Sequence, residues 1–331
     1  MSRPISIASP QIEAPAIDAM SGWPPPVFDP AGPFAGSITT LAWALLAMGV
    51  VVFAVVMFAL YVALFGRETT RERLDGKRAI WIGGIGFPVV VLTALLVWGL
   101  SLTSRLTPPV TGDELRVQVS GEMWWWRVAY LDAAGATWLH DANELHIPTG
   151  QPVVIELRSA DVIHSFWVPR LSGKLDMIPG RLNRLRIQAD EPGSYGGQCA
   201  EYCGGPHALM GFFVVAHTPE DYARWVAARR APVAPPATPS AQRGEQLFDS
   251  AGCGACHRIA GTAANGLAGP DLSHVGSRRS LGAGILPNNR GTLIGWIGDS
   301  QSIKPGNRMP PYTSLPGEDL QALADYLEAR K

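Results

Sequence analysis

Charged residues are absent from two long stretches of the chain, although they make up 17% of its 331 amino acids. None lies between Asp29 and Arg67, and none lies between Arg78 and Arg105. The apolar runs at 38–65 and 79–103 each exceed the roughly 20 residues that cross a bilayer as a helix. Two buried core helices are the alternative, but core helices of this length rarely lack charge. We therefore predict a transmembrane helical hairpin over residues 37–104.

The orientation of this hairpin follows from the basic residues in its loop, and the tail before it lacks the features of a signal peptide. Residues 1–36 contain neither an apolar signal-peptide stretch nor a cysteine, so we expect no standard signal peptide and no lipid anchor. Basic residues in short loops mark the cytoplasmic side of a membrane. The loop between the helices contains five of them: Arg67, Arg71, Arg73, Lys77 and Arg78. We therefore expect the tail (1–36) and everything after Arg105 on the extracytoplasmic side.

A strong net charge and surplus cysteines are also missing. The formal net charge is -1, so no bulk electrostatic attraction to nucleic acid is indicated. The chain has four cysteines, and all of them belong to two short motifs near 199–203 and 253–256.

Short alternating runs of apolar and polar residues follow the hairpin. Such runs occur at Leu115, Val117 and Val119, at Val153, Ile155 and Leu157, and at Leu185 and Ile187. Glycine and proline separate them at short intervals, which predicts an antiparallel β-sandwich or barrel. An amphipathic helix from Pro219 to Arg230 closes this domain, which we assign to 105–230.

The last part of the chain is separated by a proline-rich stretch. Residues 231–240 contain four prolines, and a stretch of this kind forms a semi-rigid spacer of roughly 30 Å. An ordinary surface loop is the alternative. From residue 241 the pattern becomes helical, and Leu320, Leu323, Ala324 and Leu327 share one face of a predicted terminal helix. We therefore predict a small all-α domain over 241–331.

Four potential metal ligands lie within the segment CAEYCGGPHALM. They are Cys199, Cys203, His207 and Met210. Sulfur and imidazole donors select copper, and this mixture is typical of electron-transfer copper sites. A disulfide leaves His207 and Met210 unexplained, and zinc rarely uses methionine. A further ligand is needed, and His164 in ADVIHSFWVP is the best candidate because it follows a predicted strand among apolar residues.

The segment CGACH is a c-type haem attachment motif. Its thiols, Cys253 and Cys256, are predicted to form thioethers to the porphyrin, and His257 to ligate the iron. Met309 in KPGNRMPPY is the predicted sixth ligand. Methionine opposite histidine raises the haem potential, which suits electron transfer. His274 and an open sixth position are the alternatives.

The first motif matches the C-x-E-x-C-G-x-x-H-x-x-M pattern of subunit II of haem-copper cytochrome c oxidases. GEMWWW, DVIHSFWVP and KLDMIPGRLN resemble further segments of that family, and the resemblance covers about residues 37–230. The Met309 segment resembles the methionine loop of class I cytochromes c. Together these features resemble a caa-type oxidase. The implied fold is a multidomain membrane protein with a two-helix transmembrane hairpin, a β-sandwich or barrel cupredoxin domain and an all-α class I cytochrome c domain.

The resemblance also implies roles for single residues. The ligands of a binuclear copper A centre are His164, Cys199, Cys203, His207, Met210 and the backbone carbonyl of Glu201. The Glu201 carboxylate is implied to ligate magnesium at the boundary with the catalytic subunit. Trp124 aligns with the tryptophan through which the family accepts electrons. Asp161 aligns with an acidic docking residue, with a solvated surface charge as the alternative.

Two further positions carry expectations from the resemblance. The Pro270 carbonyl is expected to orient the His257 ring. The family has a glutamate before the second membrane helix, at the mouth of a proton path, where this chain has Arg78. Either the path is entered through another residue, Glu68, Glu72 or Asp75, or the alignment is shifted.

The implied function is electron relay within an oxidase of the bacterial inner membrane. Electrons pass from haem c to copper A and on to the haem-copper catalytic subunit, which reduces O2 to water and pumps protons. No oxygen-reducing site is expected in this chain. Its expected partners are that subunit and further oxidase subunits, membrane lipid, and a donor such as a cytochrome c or a bc-type complex. A copper A nitric oxide reductase subunit, or an electron carrier or scaffold without a catalytic partner, are the alternatives.

Overall fold

The computed structural model describes residues 25–74, 76–111 and 114–331, so most of the predicted tail and Asp75 lie outside the described part. The helices are α1 (Pro33–Phe65), α2 (Glu68–Leu74), α3 (Lys77–Ala79), α4 (Phe87–Leu106), α5 (Pro219–Arg230), α6 (Pro239–Ser250), α7 (Arg290–Gly298), α8 (Ser300–Ile303) and α9 (Gly317–Glu328). A π-helical segment (Ile80–Gly86) joins α3 to α4, and 3₁₀ turns occur at Gly205–Leu209, Cys253–Ala255 and Val275–Ser277.

The strands form three sheets. They are β1 (Leu115–Glu122), β2 (Trp125–Leu131), β3 (Thr137–Ala142), β4 (Glu144–Pro148), β5 (Val153–Ser159), β6 (His164–Trp167), β7 (Leu175–Met177), β8 (Asn183–Ile187), β9 (Gly193–Cys199), β10 (Gly211–His217), β11 (Ser280–Leu281) and β12 (Leu286–Pro287).

Two long helices cover the two charge-free runs. They are α1 and the continuous helical segment Lys77–Leu106, and only 6% and 0% of their most apolar windows are buried within the described chain. A core helix would bury its apolar side chains, so these exposed apolar surfaces fit membrane spans. The π-helical turn precedes Pro88, which has no N–H to donate to the turn before it.

Both outer ends of this hairpin are bonded to the β domain. Before α1, the Ala31 N–H donates to the Arg170 carbonyl at 2.7 Å, and the Asp190 N–H donates to the Ala31 carbonyl at 2.9 Å. After α4, the Arg186 guanidinium donates to the Pro108 carbonyl at 2.5 Å. The start of α1 and the end of α4 therefore lie on the same side of the hairpin, as the predicted orientation requires.

The β domain is a sandwich of two five-stranded sheets. Their strand orders are β3-β2-β1-β5-β8 and β4-β10-β9-β6-β7. The alternating residues of β1 and β5 point inward, and Val117, Val119, Val153, Ile155 and Leu157 are fully buried. The predicted sandwich is confirmed, but its pairing is not antiparallel throughout, because β1 pairs with β5, and β10 with β4, in parallel. Parallel neighbours need a long crossover connection, and β2–β4 and β5–β9 provide one in each case.

The C-terminal domain packs α6, α7 and α9 around a small apolar core. Glycine allows the close crossing of α6 and α9, because a Cβ on Gly244 would lie 2.0 Å from the Ala322 carbonyl oxygen. The helix α6 begins at Pro239, where the Thr238 hydroxyl accepts the Ala241 N–H and caps it. The hairpin of β11 and β12 was not anticipated, because two-residue strands leave no readable periodicity.

Candidate metal and haem sites

The predicted copper ligands lie at one end of the sandwich, at the ends of strands and in the loop that joins two of them. His164 begins β6, Cys199 ends β9, and β10 begins directly after Met210. The strands β6 and β9 are paired, with Phe166 opposite Cys199. The Cys199 N–H also donates to the Met210 carbonyl at 3.0 Å. Sheet hydrogen bonds therefore hold both ends of the ligand loop.

The five predicted ligand side chains converge on one buried point. Cys199 Sγ and Cys203 Sγ lie 3.7 Å apart. His164 Nδ1 is 3.9 Å from Cys199 Sγ, and His207 Nδ1 is 3.4 Å from Cys203 Sγ. Met210 Sδ is 3.8 Å from Cys203 Sγ. The ligand atoms of His164, Cys199 and Cys203 all lie within 4.8 Å of one another.

The electrostatics of the two thiols fit a metal centre. The hydrogen bond from Cys203 holds the pKa of Cys199 well below its usual range. The same contact, together with burial, raises the pKa of Cys203. Two adjacent buried thiolates repel each other, so both sulfurs deprotonate together only with cations between them. The Glu201 carbonyl, 3.2 Å from Cys199 Sγ, adds an oxygen, and this sulfur, imidazole and carbonyl set fits copper.

The His164 ring is oriented from two sides. Its Nε2 bonds to Asp161 Oδ1 at 2.9 Å, so Nδ1 faces the sulfurs. Behind the ring, a Cβ on Gly121 would lie 2.6 Å from His164 Cδ2. Asp161 also accepts the Met123 N–H at 2.8 Å. Asp161 is thus not merely a solvated charge, because it fixes the ring of a predicted ligand.

Trp124 belongs to both predicted sites. Its Nε1 donates to the Cys203 carbonyl at 2.8 Å, and the same residue lines the cavity that contains the CGACH motif. Gly204 has a φ of +111°, and a Cβ there would lie 3.0 Å from the Trp124 ring, so glycine is required at this contact. Trp126, by contrast, is fully buried in the core of the sandwich.

The CGACH motif lines a cavity of about 370 Å³ between the β-sandwich and the C-terminal domain. Its lining includes all four predicted haem-binding residues, Cys253, Cys256, His257 and Met309. Much of the remaining wall is apolar and comes from Phe248, Leu272, Leu293, Ile297 and Leu323. A concave apolar cavity with a few polar groups is typical of a cofactor site.

The predicted axial residues are both held by hydrogen bonds. His257 Nδ1 bonds to the Pro270 carbonyl at 2.8 Å, as expected. A carbonyl only accepts, so Nδ1 carries the proton and Nε2 is free to bind a metal. Burial lowers the pKa of His257, which favours this neutral form. A Cβ on Gly269 would lie 2.6 Å from His257 Cε1, so glycine makes room for the ring.

The Met309 loop is similarly fixed. The Met309 N–H donates to Asn307 Oδ1 at 2.8 Å, and the Met309 carbonyl accepts from Ser300 Oγ at 3.0 Å and Gln301 Nε2 at 2.8 Å. His274, the alternative ligand, is bonded to the carbonyl of the C-terminal residue at 3.2 Å and is not among the residues that line the cavity.

Sequence reasoning missed the residues that join the two domains. Lys304 is 2% exposed and Arg278 is 7% exposed, and both bond to groups of the sandwich. Neither residue belongs to a recognisable motif. Two of the three acceptors of Lys304 are backbone carbonyls of the sandwich, and because every residue type has a backbone carbonyl, they leave no signal in the sequence. The proline in KPG is the only local hint that the lysine begins a fixed loop.

Four side chains with predicted roles lie outside these sites. The Glu201 carboxylate is 45% exposed and lies 3.9 Å from Lys174 Nζ. Arg78 is exposed at the start of the second span, and Glu68 and Glu72 are exposed in α2.

Comparisons with known proteins agree with this arrangement. A family model described as cytochrome c oxidase subunit II, periplasmic domain, matches residues 119–217. A cytochrome c model matches residues 241–331. A protein of Alkalihalophilus pseudofirmus named cytochrome c oxidase subunit 2 is 36% identical over 86% of this chain and 83% of its own length. A Bacillus subtilis protein of the same name is 30% identical over 80% of this chain and 78% of its own length.

A solved structure is also similar. It is the crystal structure of the periplasmic domain of subunit II of cytochrome oxidase from Bradyrhizobium japonicum. The match covers 37% of this chain and 96% of the Bradyrhizobium chain, at 29% sequence identity and a TM-score of 0.34.

The matched domains imply copper A and haem c, and the exposed apolar helices fit a membrane-anchored subunit. The named relatives do not favour the nitric oxide reductase alternative. This chain therefore belongs to the cytochrome c oxidase subunit 2 family and carries a fused cytochrome c domain.

Proposed function

We propose that this chain relays electrons from its own haem c to copper A, and from there to the catalytic subunit of a caa-type oxidase that reduces O2 and pumps protons. The main support is that Trp124 is hydrogen-bonded to the Cys203 carbonyl and also lines the proposed haem cavity. When bound, haem and copper supply the one-electron carriers. The residues of this chain hold them on loops that are fixed by hydrogen bonds.

The ligand assignments are part of this proposal. Copper A is held by His164, Cys199, Cys203, His207, Met210 and the Glu201 carbonyl, and haem c by Cys253, Cys256, His257 and Met309. Trp124 is the point at which electrons enter the copper domain. In support, every one of these side chains lies in one of two clusters or in the contact between them.

We propose two copper ions in the first cluster. Two thiols, two imidazoles, one thioether and one carbonyl would together provide enough donors for two metals. One metal would leave several of these six groups without a role. Metal analysis of the purified complex should give two copper ions per haem c in addition to the metals of the catalytic subunit, and Cys203→Ser should lose both together.

We also propose that the Glu201 carboxylate ligates magnesium at the boundary with the catalytic subunit. Magnesium commonly uses one or two protein carboxylates and retains several waters. The Glu201 side chain is 45% exposed, and the backbone carbonyl of the same residue is a proposed copper ligand. Glu201→Gln should weaken this ion and leave the copper spectrum intact, whereas loss of all copper would contradict the assignment.

The proposed topology has two spans in a bacterial inner membrane, with the domains at 105–230 and 241–331 and their linker at 231–240 on the periplasmic side. The bonds that join both outer helix ends to the sandwich support it. A soluble cytochrome c or a bc-type complex is the proposed donor to the haem.

Gas consumption by the complex isolated through a tag on this chain tests the function. With an artificial donor, we expect rapid O2 uptake that cyanide blocks. Turnover of NO without O2 uptake would contradict the oxidase function. No turnover with either gas, in a preparation with intact copper and haem, would indicate a carrier without a catalytic partner.

A further inference from the structure

The cytochrome domain lies directly against the sandwich, and the contact contains buried charge. Lys304 is 2% exposed, and it lies in the loop that leads to Met309. Arg278 and Asp141 are 7% and 3% exposed, and they form an ion pair of 2.7 Å across the domain boundary. Protein complexes that form transiently usually keep their charges at the rim, where water remains and the charges steer the encounter. Buried charges are therefore a feature of an interface that stays closed.

The ammonium group of Lys304 is satisfied only in this arrangement. It has three N–H donors, and each one has an acceptor: the carbonyls of Trp124 at 2.7 Å, Leu209 at 2.7 Å and Gly282 at 2.9 Å. The first two belong to the sandwich and the third to the cytochrome domain. A small shift of the domains that kept Lys304 buried would leave N–H donors without partners, which is costly.

The acceptors are placed at the electron-transfer loops of the copper domain. Leu209 precedes the copper ligand Met210, and Trp124 bonds to the Cys203 carbonyl. On the cytochrome side, the Lys304 carbonyl accepts from Asn307 Nδ2 at 2.8 Å, within the loop that holds Met309. One side chain thus ties the copper loop to the haem loop.

Further hydrogen bonds cross the same domain boundary. The Gly211 N–H donates to the Ala283 carbonyl at 2.9 Å, and the Arg279 N–H donates to Glu144 Oε2 at 2.9 Å. A Cβ on Gly284 would lie 3.3 Å from the Gly211 carbonyl carbon, so the two backbones touch. These hydrogen bonds require one relative position of the domains.

We propose that Lys304 is a positioning residue that locks the cytochrome domain onto the copper domain in a single pose. This inference rests on the proposed relay from haem c to copper A and goes beyond it, because the cytochrome domain does not swing on its linker between turnovers. The proline-rich segment then connects two domains that are already docked.

The test combines a lengthened linker with Lys304→Met in the full-length complex. Inserting about six Gly-Ser residues between Pro235 and Pro236 lowers the effective concentration of a swinging domain but not of a docked one. Electron transfer to copper is followed after photoreduction of haem c. We expect the lengthened native chain to keep the native rate. With Lys304→Met, we expect the rate to fall about tenfold, to depend on solvent viscosity and to fall further when the linker is lengthened.

The control variant is Lys331→Met, which removes an exposed lysine from the same domain and should not alter the rate in either linker background. Absorption spectra of haem and copper must be native in every variant. A merely structural defect at residue 304 would not create a dependence on linker length. Slower transfer in the native chain with the longer linker, or a native rate in Lys304→Met with either linker, would overturn the lock.

A second readout does not need turnover. Amide hydrogen exchange at Gly211 and Arg279 should be slow in the native chain and faster in Lys304→Met, because both N–H groups donate across the boundary. Fast exchange at both amides in the native chain would overturn the lock by itself. If haem c in the native chain never reduces copper, while both centres are reduced chemically, the relay fails instead.

Discussion

At the scale of single residues, each candidate site consists of predicted ligands that are held by neighbouring residues which are not ligands themselves. Asp161 fixes His164, the Pro270 carbonyl fixes His257, and Trp124 bonds to the carbonyl of Cys203. Such outer partners set the tautomer and direction of a ligand. Substitutions of these neighbours should therefore change rates before they change metal content.

Trp124→Phe should slow the reduction of copper by haem c by about tenfold, because it removes both the indole ring and its bond to the Cys203 carbonyl. Flash photoreduction of haem c measures this rate directly. The matched control is Trp138→Phe, a substitution in the sandwich away from both clusters, which should keep the native rate. An unchanged rate in Trp124→Phe with native spectra would contradict the entry role.

Met309→Ala should open the sixth position of the haem iron and lower its potential, because a thioether ligand favours the ferrous form. Carbon monoxide should then bind stoichiometrically to the ferrous haem c, as seen in difference spectra, and a redox titration should give the lower potential. If His274→Ala binds carbon monoxide and Met309→Ala does not, the axial assignment is wrong.

His217 should make the stability of the copper domain depend on pH. Burial, together with the adjacent His146 ring, lowers the pKa of His217 to about 4 from 6.5. The unfolded chain therefore binds more protons between these values. The contribution of His217 to stability is complete above about pH 6.5 and is lost as the pH falls toward 4, by about 1–2 kcal/mol after allowing for the partly exposed ring.

Thermal unfolding followed by circular dichroism across this range measures the effect. His217→Gln should show a smaller loss of stability between pH 6.5 and 4 than the native chain. An equal loss in both proteins would mean that other groups cause the acid sensitivity.

At the scale of elements, glycine decides how closely helices and loops approach. The helices α6 and α9 cross where Gly244 meets the Ala322 carbonyl. The strands, by contrast, follow the alternation of apolar and polar residues. The predicted copper ligands meet at one end of the sandwich because β6, β9 and β10 are neighbours.

Gly244→Ala should destabilise the cytochrome domain by about 1–3 kcal/mol, because the added methyl group would overlap the Ala322 backbone and push α6 from α9. Chemical denaturation followed by the haem absorbance measures this. Gly295→Ala is the matched control, since a Cβ there meets nothing within 4 Å. In α7 this change should be neutral or stabilising by up to about 1 kcal/mol. Equal stability of both variants would contradict the close crossing.

The elements also separate what the sequence could predict from what it could not. Charge-free runs predicted both long helices, and the alternation at Val117 and Val119 predicted β1. The parallel pairing of β1 with β5 was missed, because alternation reports which face is buried but not which strand is adjacent. Most of the copper ligands could be predicted from the sequence because the segment from Cys199 to Met210 is short and contains four of them.

At the scale of the whole molecule, the two redox domains form one unit around a shared cavity. The docking of the cytochrome domain was not predictable, because Lys304 bonds to carbonyls 180 and 95 residues away along the chain. Carbonyl acceptors leave no residue-type signal, and a proline-rich linker is compatible with docked and swinging domains alike. Total charge was equally uninformative, since the paired charges Arg278 and Asp141 cancel.

The most direct measurement is the order in which the centres lose electrons when the fully reduced complex is mixed with O2. Copper A lies between haem c and the catalytic subunit in the proposed relay. Copper A should therefore be oxidised first, as its absorbance will show. Haem c should be oxidised second, at the rate of electron transfer from haem c to copper A through the Trp124 contact. Oxidation of haem c before copper A, or at a rate that does not change when Cys203→Ser removes the copper, would contradict the relay.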